Sequence, residues 1–127
     1  MILAMRTDKP EAEILLIDSG KIVESCMWNA HRELSDTLLI KIEDLLSKYG
    51  ESSSDLAGVA VYSGPGSFTG LRIGVSVANT LAYSLSVPIW GLNENQWQQL
   101  PDLDLSNDTK IVVPEYGQAA TVTQPRK

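Results

Sequence analysis

The sequence predicts an α/β fold: a single mixed β-sheet of about five strands carrying two main helices. One observation is the order of elements: three short apolar runs joined by tight turns, a segment of helical period, a fourth apolar run, a long second helical segment and a short last run. The other is size. The 127 residues suffice for one small domain, and 43% hydrophobic residues suffice for its core.

"MILAMRT" (Met1–Thr7) reads as a strand, and "DKPE" as a turn in which Pro10 fixes its own backbone angle. "AEILLIDS" (Ala12–Ser19) is a second strand, Ser19-Gly20 a tight turn, and "KIVESCMWNA" (Lys21–Ala30) a third, alternating strand. Turns this short exclude crossovers, so these strands are expected as an antiparallel meander. The period then changes: Leu38, Leu39, Ile42, Leu45, Leu46 and Tyr49 share one helical face. This predicts a helix over Asp36–Tyr49, capped by Ser35 and stopped by Gly50. "LAGVAVYS" (Leu56–Ser63) reads as a buried strand. Leu71 to Leu85 reads as the second helix, capped by Ser67 or Thr69. "VPIWGL" (Val87–Leu92) is a short strand, and Asn93 caps a brief helix to Leu100. Residues 1–100 form the expected lobe. Residues 101–127 are a loop and tail, with a short strand at most in "KIVVPEYG" (Lys110–Gly117).

Lysine and arginine number 10 against 16 aspartates and glutamates, a net charge of −6. Phosphate contacts supply most non-specific affinity for nucleic acid, so an acidic chain is a poor binder by itself. Any nucleic acid is expected to be held by a partner. A lone cysteine, Cys26, builds no disulfide framework. Arg6 breaks the opening apolar run, and no run reaches the length of a membrane span. The expectation is a soluble, cytoplasmic protein that does not enter a membrane.

"SGPGSFTGLRIG" (Ser63–Gly74) lies between a strand and a helix, where many proteins hold phosphate. A P-loop needs lysine and a hydroxyl after its last glycine, but Leu71 and Arg72 follow Gly70. The dinucleotide fingerprint fails as well, because Gly66 and Gly70 are separated by "SFT". Two readings stay open. Gly64, Pro65, Gly66, Ser67, Thr69 and Arg72 make either a structural strand-to-helix turn or an anion site at a helix N-terminus.

The helix after the loop carries Gly70, Gly74, Ala78 and Ala82 as a ridge of small side chains, with Ile73, Val77 and Leu81 beside it. A helix apolar over most of its circumference is buried on more than one side. The second side takes either the first helix, through Leu38, Ile42 and Leu45, or another chain. Among other candidates, His31 reads as a pre-helix surface residue, and Asp18, Glu24, Glu43 and Asp44 as solvated charges. Trp28, Trp90 and Trp97 read as core or interface aromatics. No nucleophile–base set and no metal-ligand cluster stands at diagnostic spacing, so neither catalytic residues nor metal ligands are expected.

"SGPGSFTGLRIGVSVANTLAYSLSVPIWGL" closely resembles the signature region of the TsaB family, and the resemblance runs from Met1 to about Leu100. It implies a single RNase H-like lobe of the actin/Hsp70-like ATPase fold, without cofactor. It also implies a non-catalytic partner of a TsaD-like transferase, which places threonylcarbamoyl on the adenosine beside the tRNA anticodon. A TsaE-like ATPase completes the usual set, and tRNA is met only through the complex. The family docks its sister through two N-terminal helices, here Asp36–Tyr49 and the helix starting near Thr69. In isolation the same face is expected to pair with a second copy. The competing reading is a small ATPase or phosphotransferase using the Gly64–Gly70 loop. Two departures weigh against it. "ILAMRTD" puts Arg6 where the family usually has an aspartate, and the chain is about half the usual family length. "VVPEYGQAATVTQPRK" resembles the family's C-terminus, implying an internal loss of the second lobe.

Overall fold

The computed structural model describes residues 1–30, 33–66 and 68–102, with the side chain of Phe68 excepted. His31, Ser67, the expected strand Lys110–Gly117 and the tail lie outside the described residues. Strands β1 (Ile2–Arg6), β2 (Glu11–Asp18) and β3 (Lys21–Asn29) form the expected meander, with Met5 opposite Ile14 and Ile14 opposite Cys26. β4 (Gly58–Tyr62) lies parallel to β1, and β5 (Ile89–Leu92) parallel to β4. The sheet order is β3-β2-β1-β4-β5, so the sheet is mixed and β1 is its centre.

Helices α1 (Leu34–Lys48) and α2 (Phe68–Leu85) are both crossovers between parallel strands, β3 to β4 and β4 to β5. Both step in the same direction along the sheet. The right-handed crossover rule therefore puts both on one face. Alternation along the strands assigns Leu3, Met5, Ile14, Leu16, Val59, Val61 and Ile89 to that face. All are essentially solvent-free. Leu38, Ile42, Leu45 and Leu46 meet them from α1, and Leu71, Val75, Ala78 and Ala82 from α2. The opposite face carries Ala4, Arg6, Ala60, Tyr62 and Leu92, with the short helix α3 (Glu94–Gln98) at its β5 end.

Two helix starts differ from expectation. α1 begins at Leu34, so Ser35 is helical and exposed, and Glu33 stands at the cap without a side-chain bond. Leu34 is 4% exposed: burying that leucine, and not a hydroxyl cap, sets where the helix begins. Thr37 Oγ1 donates instead to the carbonyl of Glu33 at 2.8 Å. α2 begins at Phe68, ahead of the expected Leu71; this makes Thr69 a helical residue, while the other expected cap, Ser67, directly precedes the helix outside the described residues. The other ends follow the sequence. Gly50, at φ 82°, stops α1: its amide donates to Ser47, and the Glu51 amide to Leu46. These two bonds make a Schellman motif. Asn93 caps α3 and exchanges bonds with Gln96.

Candidate functional site

The helical layer is the first candidate. The small-residue ridge of α2 points inward. Ala78 is fully buried, Ala82 is 3% exposed, and Gly74 is buried. Gly74 is small for an internal reason: a β-carbon there would run into the side chain of Thr7. Leu38, Ile42 and Leu45 are likewise spent on the sheet. What α2 leaves half-open is the neighbouring flank, Ile73, Val77 and Leu81, one turn apart. Ile73 shares a cavity of about 280 Å³ with Leu34, Thr69 and Gly70, so this flank faces α1. On α1, Thr37 accepts a hydrogen bond from Trp28 of β3, and Lys41 lies over the same ring. They mark the flank turned to β3. Leu39, 51% exposed, is on the opposite flank, toward α2. Among the described residues, Leu39, Ile40 and Tyr83 are the large apolar side chains that the two helices leave in solvent.

The glycine loop is the second candidate. Thr7 Oγ1 donates to the Gly70 carbonyl at 2.6 Å, stitching the end of β1 to the first turn of α2. Gly66 has Asp8 against it: a β-carbon at 66 would lie 2.7 Å from Asp8 Cβ. Tyr62 Oη donates to the Pro65 carbonyl. Gly64 is buried, and Thr69 and Arg72 are exposed. The "GPGSFTGLRIG" glycines thus let loop and helix close on the β1–β2 turn.

The third feature is a charged cluster at the carboxyl end of β1, on the face opposite the helices. The Arg6 and Asp8 side chains are 7% and 8% exposed, and Glu94 is half-exposed. One edge of the guanidinium donates to Asp8, Nε to Oδ1 at 2.8 Å and Nη2 to Oδ2 at 3.3 Å. The other edge donates to Glu94, Nη1 to Oε2 at 3.0 Å and Nη2 to Oε1. The Tyr62 ring lies under it, 4.0 Å from Cζ to centroid, with Trp97 at 5.9 Å. Burial would lower the Arg6 pKa, but the bonds to Glu94 and Asp8 outweigh it and hold the group above its usual value. The Arg6 hydrogen bonds, helped by Gln98, pull Glu94 down to about 2.

Sequence reading marked Arg6 but missed its partners. Asp8 and Glu94 are far apart in the chain, and no spacing announces them. A lone cation closing an apolar strand was the available signal. Asp18, read as solvated, accepts a hydrogen bond at 3.0 Å from Tyr49 Oη, which raises the tyrosine's pKa. Trp97 is buried, whereas Trp28 and Trp90 are half-buried. Among the described residues no three His, Cys, Asp or Glu side chains group as metal ligands, and no helix is long and apolar enough to cross a membrane.

Comparison with known proteins places this arrangement. The family model described as "TsaD: tRNA N6-adenosine threonylcarbamoyltransferase" matches residues 28–102. The tRNA threonylcarbamoyladenosine biosynthesis protein TsaB of Escherichia coli (strain K12) is 34% identical over 97 residues, 72% of this chain and 39% of that protein. A tRNA N6-adenosine threonylcarbamoyltransferase of Geotalea uraniireducens (strain Rf4) is 42% identical over 64 residues, 50% of this chain and 19% of that protein. The solved structure of YeaZ from Pseudomonas aeruginosa superposes with a TM-score of 0.69 at 28% identity, covering 80% of this chain and 49% of that one. The chain therefore spans less than half the length of these relatives. With the family model matched over residues 28–102, the YeaZ fold and identity to TsaB over 72% of its length, the chain belongs to the TsaB/TsaD family, as a TsaB-like domain.

Proposed function

We propose that this chain is a non-catalytic domain that docks a TsaD-like transferase through α1 and α2 and so supports threonylcarbamoyl modification of the adenosine next to the tRNA anticodon. The observation that carries the reading is the apolar strip left open on the helical layer, Leu39 in solvent on α1 and half-open Ile73, Val77 and Leu81 on α2. On an acidic chain with a filled core, such a strip marks a protein partner. The ridge residues Gly70, Gly74, Ala78 and Ala82, and Leu38, Ile42 and Leu45 beneath, support the strip from below by setting how closely the helices lie on the sheet. A stable contact of this kind buries about 1,200–2,000 Å² in total. In isolation the strip pairs with a second copy. The transferase carries the tRNA, in keeping with the net charge of −6 here, and a TsaE-like ATPase joins the assembly in the cytoplasm. Residues 1–100 act as the docking lobe and residues 101–127 as a remnant of the family C-terminus. The direct experiment is co-purification of the chain with the TsaD-like transferase of the same organism, followed by a tRNA modification assay with and without the chain. Co-elution and faster modification are expected. Separate elution with unchanged modification refutes the reading.

A further inference from the structure

In an open α/β sheet, ligands bind outside the carboxyl ends of the parallel strands, where the chain connections diverge. Here that point lies between β1 and β4: the chain leaves β1 toward β2 and leaves β4 toward β5, on opposite sides. Proteins of the actin-like class imply a metal-bound phosphate at this end. The residues present do not fit one. Arg6 ends β1, Tyr62 ends β4, and Glu94 follows β5 on α3. The guanidinium of Arg6 lies among them with both of its forked edges engaged, one on Asp8 and one on Glu94, and with the Tyr62 ring against it.

We propose that Asp8 and Glu94 form a cation seat at the strand ends, that the Arg6 guanidinium is its resident occupant, and that this internal cation closes the crevice of the sheet. Three observations carry the proposal independently of the docking reading. The Asp8 side chain is 8% exposed, which a carboxylate sustains only when paired. Two carboxylates from segments far apart in sequence converge on one cation. The geometry is bidentate on both sides, which a guanidinium supports and an ammonium does not. The occupant also pins α3, because Glu94 is its first residue. A chain with Arg6 in place has no room there for a hydrated divalent ion. A carboxylate at position 6 completes a trio of oxygen donors of the kind that magnesium, manganese or calcium takes.

The test uses the full 127-residue chain and thermal melting. Arg6→Ala empties the seat, and free guanidinium at low millimolar concentration refills it. The variant's midpoint is expected to rise by about 5 °C while the wild type's does not rise. Arg6→Asp converts the seat: manganese is expected to raise its midpoint by a similar ~5 °C and to leave the wild type unmoved. Where either variant folds only in the presence of its cation, cation-dependent folding is the same positive result. An Arg6→Ala protein that responds to guanidinium as the wild type does, or an Arg6→Asp protein indifferent to manganese, overturns the seat. So does a wild type stabilised by manganese in a manner that Glu94→Gln abolishes.

Discussion

Arg6 and Gly74 are where single side chains decide the structure. Truncating Arg6 leaves the Asp8 carboxylate buried without its counter-ion, and breaking a buried pair from one side is costly. Arg6→Ala is expected to lose about 3 kcal/mol in urea unfolding, and Arg6→Lys to recover only part of it, because lysine lacks the second fork. The same pair fixes a pH response. Glu94 is held at about 2, below the ordinary 4.5 of a glutamate, so its contribution is complete above pH 4.5 and is lost as pH falls toward about 2. In Glu94→Gln the slope of stability between those pH values is expected to flatten, as melting across a pH series would show. Gly74→Ala places a methyl group against Thr7 and is expected to cost about 2 kcal/mol. Thr7→Ala in the same chain should return part of that loss, and a double-mutant cycle measures the coupling. Independent, additive losses would contradict the contact.

α1 and α2 show what periodicity conveys and what it leaves out. The interval of Leu38, Ile42 and Leu45 gave α1 its inward face, and Gly50 its end, because both depend on local spacing. The start of α1 lay outside such reasoning, since the burial of Leu34 against the sheet outweighs hydroxyl capping. The strand meander was equally legible, as turns of two to four residues permit nothing else. The ridge Gly70, Gly74, Ala78 and Ala82 was visible as a pattern but not in its direction. Small residues allow close approach on any side, and only the neighbouring Thr7 reveals that this one faces the sheet. Ala78→Arg is therefore expected to collapse the melting transition of the isolated chain. Leu39→Glu, at a half-exposed position, is expected to leave melting within about 0.5 kcal/mol of wild type. The reverse pattern in thermal denaturation would turn α2 around.

As a whole the molecule sets two different features on the two faces of one sheet. One face carries α1 and α2 with their half-open apolar strip; the other carries α3 and the Arg6 cluster. The strand-end site was half legible in sequence: Arg6 stood out as the residue where the family usually has an aspartate, while Asp8 and Glu94 meet it only through the fold. The central claim concerns the helical face, and affinity for the TsaD-like transferase tests it most directly. The measurement is a calorimetric titration of transferase with wild-type chain, with Leu39→Glu and with Arg6→Lys, each verified as folded. A carboxylate placed in a dry apolar contact should weaken binding by at least about tenfold, whereas a change on the far face of the sheet should leave it intact. Equal affinities for the wild type and a folded Leu39→Glu chain would contradict the claim.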